Sequence, residues 1–143
     1  MDYALDEHQG NLLKDLYHRC GVVVAYLFGS LARKESGPLS DVDIAVLFSR
    51  ELSEDERFER RLRMIGKMCG IFRSPEIDLV ILNDVPLSLQ FEVIKGGRIL
   101  YCADESARVD FEVKAISLWL DRKYYDDRYS RILLEQIAKD GLR

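Results

Sequence analysis

Gly29-Ser30 follows directly on a continuous apolar run, Val22 to Phe28, and ten residues later come Asp41 and Asp43. On an extended chain, residues two apart point to the same face, so Asp41 and Asp43 present their carboxylates together. Like charges held side by side repel unless a cation sits between them. An oxygen-only donor set suits a hard divalent ion such as Mg²⁺. A further carboxylate, Asp78, interrupts the otherwise apolar stretch EIDLVIL, Glu76 to Leu82. Ile77, Leu79 and Ile81 share one parity there, which leaves the other face to Asp78 and Val80. If this strand lies beside that of Asp41 and Asp43, the three aspartates converge. Such a set can hold two Mg²⁺ ions about 3.5–4 Å apart and clamp the attacking and leaving oxygens of an in-line phosphoryl displacement. Gly29 lets the backbone approach a phosphate closely, free N–H groups at a helix start bind anions, and the Ser30 hydroxyl adds a donor. A phosphate cradle beside a carboxylate set is what a nucleoside triphosphate requires.

These residues need strands and turns to hold them. Apolar positions from Leu5 to Cys20 recur at helical spacing, and Gly21 ends that first helix. Val22 to Phe28 reads as a strand covered on both faces. Gly29-Ser30 breaks it, Leu31 to Glu35 reads as a short helix, and Ser36-Gly37-Pro38 as a turn. Asp41 to Phe48 is the second strand. Ser53 and Glu56 form a capping-box pattern, and Phe58, Leu62, Ile65 and Met68 carry a helix on to Gly70. Glu76 to Leu82 is the third strand, Pro86 opens a helix that Gly96-Gly97 closes, and Arg98 to Cys102 is a short fourth strand. From about Asp104 to Lys139 the pattern is helical, with Phe111, Ala115, Leu118 and Trp119 on one face. The fold class expected is α/β (α+β), a small mixed sheet of about four strands packed with helices. No repeat or linker divides residues 1–143, so one domain is expected, its catalytic core at about 20–102 and a helical segment at about 104–140.

Composition narrows the function further. The chain has 143 residues, 48% hydrophobic and 32% charged, with 21 basic and 25 acidic side chains and a net charge of −4. That balance argues against disorder and against sequence-independent nucleic-acid binding, which depends on surplus cations. The longest apolar run falls far short of the ~20 residues that span a bilayer. The acidic, polar N-terminus lacks the features of a signal peptide. Cys20, Cys69 and Cys102 are widely spaced and read as core residues in a reducing cytosol, so a cytoplasmic location is expected. His8 and His18 are too few for a histidine-based metal site.

The pattern G-S-x(10)-D-x-D followed by a later Asp on a neighbouring strand resembles the signature of the DNA polymerase β-type nucleotidyltransferase superfamily. Gly29, Ser30, Asp41, Asp43 and Asp78 fall on its positions. In size and layout the chain is similar to the minimal nucleotidyltransferases, the MNT antitoxins encoded beside HEPN-domain toxins. That resemblance implies the nucleotidyltransferase fold and transfer of AMP from ATP, with Mg²⁺, onto a tyrosine hydroxyl of a HEPN toxin, which is thereby neutralised. It implies that Asp41 and Asp43 ligate Mg²⁺ and that Asp78 completes the metal site and helps to deprotonate the incoming hydroxyl. Gly29 and Ser30 would hold the β- and γ-phosphates. Relatives often read GSRARG where this chain has Gly29-Ser30-Leu31-Ala32-Arg33-Lys34, so the cationic contact to the triphosphate falls to Arg33 or Lys34.

Larger relatives carry additional domains to hold an acceptor, whereas this chain has only the helix from about Asp104 onwards. A folded protein can hold itself in place, but a small molecule needs a pocket, which favours a protein acceptor. The stretch Asp121 to Arg131 carries Tyr124, Tyr125 and Tyr129 among arginines, a composition that suits an interface and equally a helix covering its own core. Arg60, Arg61 and Arg63 read as a solvated face paired with Glu56 and Glu59. Two alternatives stand beside protein AMP transfer: an antitoxin acting by occlusion alone, and a nucleotidyltransferase acting on a small, aminoglycoside-like acceptor. Self-association and association with the toxin are both left open.

Overall fold

The computed structural model describes residues 6–29 and 42–140. The expected short helix at Leu31 to Glu35, the turn after it, and the site residues Ser30, Arg33 and Asp41 lie outside the described residues.

The elements follow the expected order: α1 (Glu7–Arg19), β1 (Val22–Phe28), β2 (Val42–Phe48), α2 (Glu54–Phe72), β3 (Ile77–Ile81), a single 3₁₀ turn (Leu82–Asp84), α3 (Leu87–Gly96), β4 (Arg98–Cys102) and α4 (Glu105–Asp140). The four strands form one sheet in the order β3-β2-β1-β4. β1 pairs antiparallel with both β2 and β4, and β2 pairs parallel with β3. A parallel pair needs a crossover, and α2 supplies it. The sheet is therefore mixed, with helices on both faces, as the alternation of elements implies.

β1 is apolar throughout and β2 is apolar after Asp43, because both their faces are covered. α1 and α2 bury one face, where Leu16 and Tyr17 of α1 and Met64 and Met68 of α2 meet Leu27, Ile44, Val46 and Leu79 of the sheet. α3 and α4 cover the other, where Val93 and Phe111 meet Val24, Tyr26, Ala45 and Val80. Ser53 and Glu56 make the expected capping box on α2, and Asp6 with Gln9 makes the same box on α1.

Four expectations about the helices are corrected. α2 runs past Gly70 to Phe72, and its left-handed cap is Arg73 (φ 54°), with the Arg73 and Ser74 amides both donating to the Cys69 carbonyl. Glycine is the usual residue at that place, so the stop signal in the sequence points three residues early. The buried stripe of α2 is Met64, Met68 and Phe72, whereas Phe58 and Leu62 are exposed. Arg60 and Arg61 are not a solvated pair: their guanidiniums donate to the Cys20 carbonyl (2.8 Å) and the Leu79 carbonyl (2.7 Å), and only Arg63 pairs with Glu59 (2.8 Å). Finally, Leu118 is half exposed rather than core, while Trp119 stacks on Phe91 of α3 with ring centres 5.1 Å apart.

Candidate active site

The site forms at one end of the three strands β1, β2 and β3. β1 ends at Phe28, which pairs with Asp43, the second residue of β2. Asp43 in turn pairs with Asp78, the second residue of β3. The Val42 amide donates to the Glu76 carbonyl at 3.2 Å and so locks the beginnings of β2 and β3 in this register. Residues paired across a sheet point to the same side, so Phe28, Asp43 and Asp78 form one row on the face that carries α3 and α4. The even-numbered residues of β2, from Val42 to Phe48, point the other way into the core. A one-residue slip of β3 would turn Asp78 to the opposite face.

Gly29 closes the row. Its φ is +74°, a left-handed conformation that L-residues with a side chain rarely adopt. A Cβ at this position would collide with the Asp43 Oδ2 and lie 3.2 Å from its Cγ. The missing side chain is thus what lets the backbone at Gly29 lie directly over the Asp43 carboxylate. Asp43 is half-buried beneath it, and Asp78 is exposed beside it. Adjacent strands are about 4.8 Å apart, so the two carboxylates sit as neighbours at the open end of the sheet.

The structure thus brings together three of the six residues singled out from the sequence, Gly29, Asp43 and Asp78. Ser30 and Asp41 adjoin this row in the chain, and Arg33 follows Ser30 by three. Among the described residues no group of three His, Cys, Asp or Glu side chains is placed to hold a metal ion. The donor set nevertheless fits a hard cation, being two neighbouring carboxylates on adjacent strands, one of them directly beneath Gly29.

One contributor was not legible in the sequence. Tyr26, a pleat behind Phe28 on the same face, donates its hydroxyl to Glu112 Oε1 of α4 (2.8 Å). Arg108 bridges the other Glu112 oxygen (2.6 Å) and Glu105 (2.6 Å). This chain ties α4 across the face on which the carboxylates stand. A tyrosine inside the run VVVAYLF is the only hint of it, and it reads as plain core.

A cavity of about 620 Å³ opens at the opposite end of the strands, lined by Val23, Phe48, Asn83, Phe111 and Lys114 among others. None of the carboxylate row lines it. Among the described residues no helix is long and apolar enough to cross a membrane.

Paired aspartates set beneath a glycine, at one end of a mixed sheet backed by helices, define a nucleotidyltransferase architecture. The chain belongs to the Polymerase beta nucleotidyltransferase family, which it matches over residues 11–106. No curated protein matches the sequence. Among solved structures it is similar to a chain of a toxin–antitoxin crystal structure with AMP-PNP, at 25% identity and a TM-score of 0.67, covering 87% of this chain and 98% of that one. It also shares the fold of a chain from a tri-AMPylated Shewanella oneidensis HEPN toxin in complex with MNT antitoxin, at 24% identity and a TM-score of 0.62, covering 90% and 98%. An MntA–HepT toxin–antitoxin structure is similar to the same degree, at 24% identity and a TM-score of 0.62, covering 90% and 99%.

Proposed function

We propose that this nucleotidyltransferase moves AMP from ATP onto a tyrosine hydroxyl of a partner HEPN toxin and thereby neutralises it. The observation that carries the reading is the Asp43–Asp78 pair beneath Gly29. Family membership and the likeness to a toxin–antitoxin structure with AMP-PNP support it.

In this reading Asp41, Asp43 and Asp78 would hold Mg²⁺, two ions in all. Bound there, Mg²⁺ supplies charge neutralisation for an in-line displacement at phosphorus. The chain's own residues do the rest. The backbone at Gly29 and Ser30 and the Ser30 hydroxyl hold the β- and γ-phosphates, with Arg33 as their cationic contact. The acceptor hydroxyl is aligned opposite the bond between the α-phosphorus and the β-phosphate oxygen. An O–P bond forms as that bond breaks, pyrophosphate leaves, and Asp78 takes the hydroxyl proton. The domain is proposed to be a single unit with this catalytic core at about 20–102.

The test is to mix the protein with Mg²⁺, ATP and the product of its neighbouring gene, and to weigh both proteins by intact mass spectrometry. The partner gains whole AMP units with the native protein, and none with Asp43→Asn or Asp41→Asn. A stable complex with no mass gain would replace transfer with occlusion. An equal gain in the Asp43→Asn control would remove the carboxylate row from the mechanism.

A further inference from the structure

α4 has two halves of different character. Up to Leu120 it lies on the domain, with Ala115 buried and Phe111 in the core. From Asp121 to Gln136 every residue is exposed. At 1.5 Å per residue, about 24 Å of helix extends beyond the last buried turn. That stretch is not polar: Tyr125 is 66% exposed, Tyr129 69%, Ile132 52% and Leu133 44%.

The spacing of these side chains is regular. The seam that seats Phe111 and Ala115 on the sheet continues in alternating steps of three and four residues through Leu118, Arg122, Tyr125, Tyr129, Ile132 and Gln136. An alternating three-and-four spacing is the repeat by which one helix packs along another. Tyr125, Tyr129 and Ile132 carry the apolar part of the seam past the domain edge between Arg122 and Gln136, and contiguous exposed apolar surface of this kind marks a contact.

We propose that the seam is covered by the same segment of a second copy of this chain, running antiparallel. Charge decides the occupant. Residues 121–140 hold five basic and five acidic side chains, so the segment suits neither a polyanion nor an acidic peptide, but it complements itself. An antiparallel pair centred between Ser130 and Arg131 sets Tyr129 against Ile132 of the second copy and Tyr125 against its Gln136. Arg128, at the edge of the seam, then faces Glu135 of the second copy, and two-fold symmetry forms this pair twice. A parallel, in-register pair instead sets Asp121 against Asp126 of the second copy, twice, and like charges there repel. The area is adequate as well. Two tyrosines at about 150–250 Å² each, with the exposed parts of Ile132 and Leu133, give roughly 500–600 Å² per partner, the low end for a specific pair and in keeping with micromolar association.

The experiment is sedimentation equilibrium of the full chain alone, without nucleotide or partner protein. The native protein is a dimer in the micromolar range, and Arg128→Glu and Glu135→Arg each weaken it at least tenfold. Mixing those two variants restores the dimer, because both Arg–Glu pairs re-form in the heterodimer. Circular dichroism confirms that each variant keeps its helices. A native chain that stays monomeric at 100 μM overturns the proposal, as does a dimer that neither substitution weakens. Either result leaves the AMP-transfer reading untouched, since that assay reads mass on a different protein.

Discussion

At the scale of the residue, Gly29 does what no other residue can do at its position. Its backbone is left-handed, and the space a Cβ would fill already holds the Asp43 carboxylate. Gly29→Ala therefore meets two penalties, an unfavourable φ and a displaced aspartate. We expect it to abolish the mass gain on the acceptor and to lower stability by about 1–2 kcal/mol. Gly66 is the control, since it is exposed in the middle of α2 and a Cβ there meets nothing within 4 Å. Gly66→Ala should raise stability by about 0.5–1 kcal/mol, because only the entropic cost of a helical glycine is removed. Thermal melts of the two variants check the sign: equal shifts in the same direction would refute the account of Gly29.

At the scale of the element, α2 shows how a pattern can mislead. Counting apolar residues selects Phe58 and Leu62 as its inner stripe, yet Arg57 and Arg61 take the inner positions one residue before each. The Arg57 guanidinium grips Asp84 with two hydrogen bonds, of 2.9 and 2.6 Å, and donates to the Leu52 carbonyl at 2.7 Å. Long arginine stems cover apolar surface while their heads satisfy carbonyls, and no count of apolar positions registers that. A second element-level device ends β2. The Asn83 side chain accepts from the Phe48 amide (2.9 Å) and donates to the Phe48 carbonyl (3.1 Å), standing in for a strand partner. Asn83→Ala leaves both backbone groups without that partner and should cost about 1–2 kcal/mol. Urea unfolding measures it, with the midpoint lowered and the slope unchanged.

At the scale of the whole molecule, the two faces of the sheet each bury a tyrosine hydroxyl, and this sets the response to alkali. Burial holds the Tyr17 phenol far above its ordinary range. Burial, then the hydrogen bond to Glu112 and its charge, does the same to Tyr26. Below pH 10 both states of the protein keep these protons and stability is full. Above about pH 10 the unfolded chain releases them while the folded chain retains them, so stability falls by about 1.4 kcal/mol per pH unit for each tyrosine. Tyr17→Phe and Tyr26→Phe should each remove one share of that slope in denaturation measured from pH 9 to 11. At pH 7 the two variants should part. The Tyr17 hydroxyl has no hydrogen-bond partner among the described residues, so its loss is neutral or stabilising. Tyr26→Phe should cost about 1–2 kcal/mol, because Glu112 loses a donor.

The sequence by itself determined the order of the described elements, the capping box of Ser53 with Glu56 and the turn glycine at Gly29, because these depend on local backbone chemistry and on periods of two and 3.6 residues. It also marked Asp43 and Asp78, since a carboxylate in a buried strand is conspicuous against its neighbours. Tertiary structure alone decided that the two are partners. Parallel pairing of β2 with β3 brings together residues 35 apart, and only the register of Val42 with Ile77 puts both carboxylates on one face. It also decided that Tyr125 and Tyr129 face solvent, where their composition suited core and interface equally. The reason is geometric: a helix of 36 residues outruns the sheet that supports it, and sequence periodicity records which side of a helix is apolar but not where the surface beneath it stops.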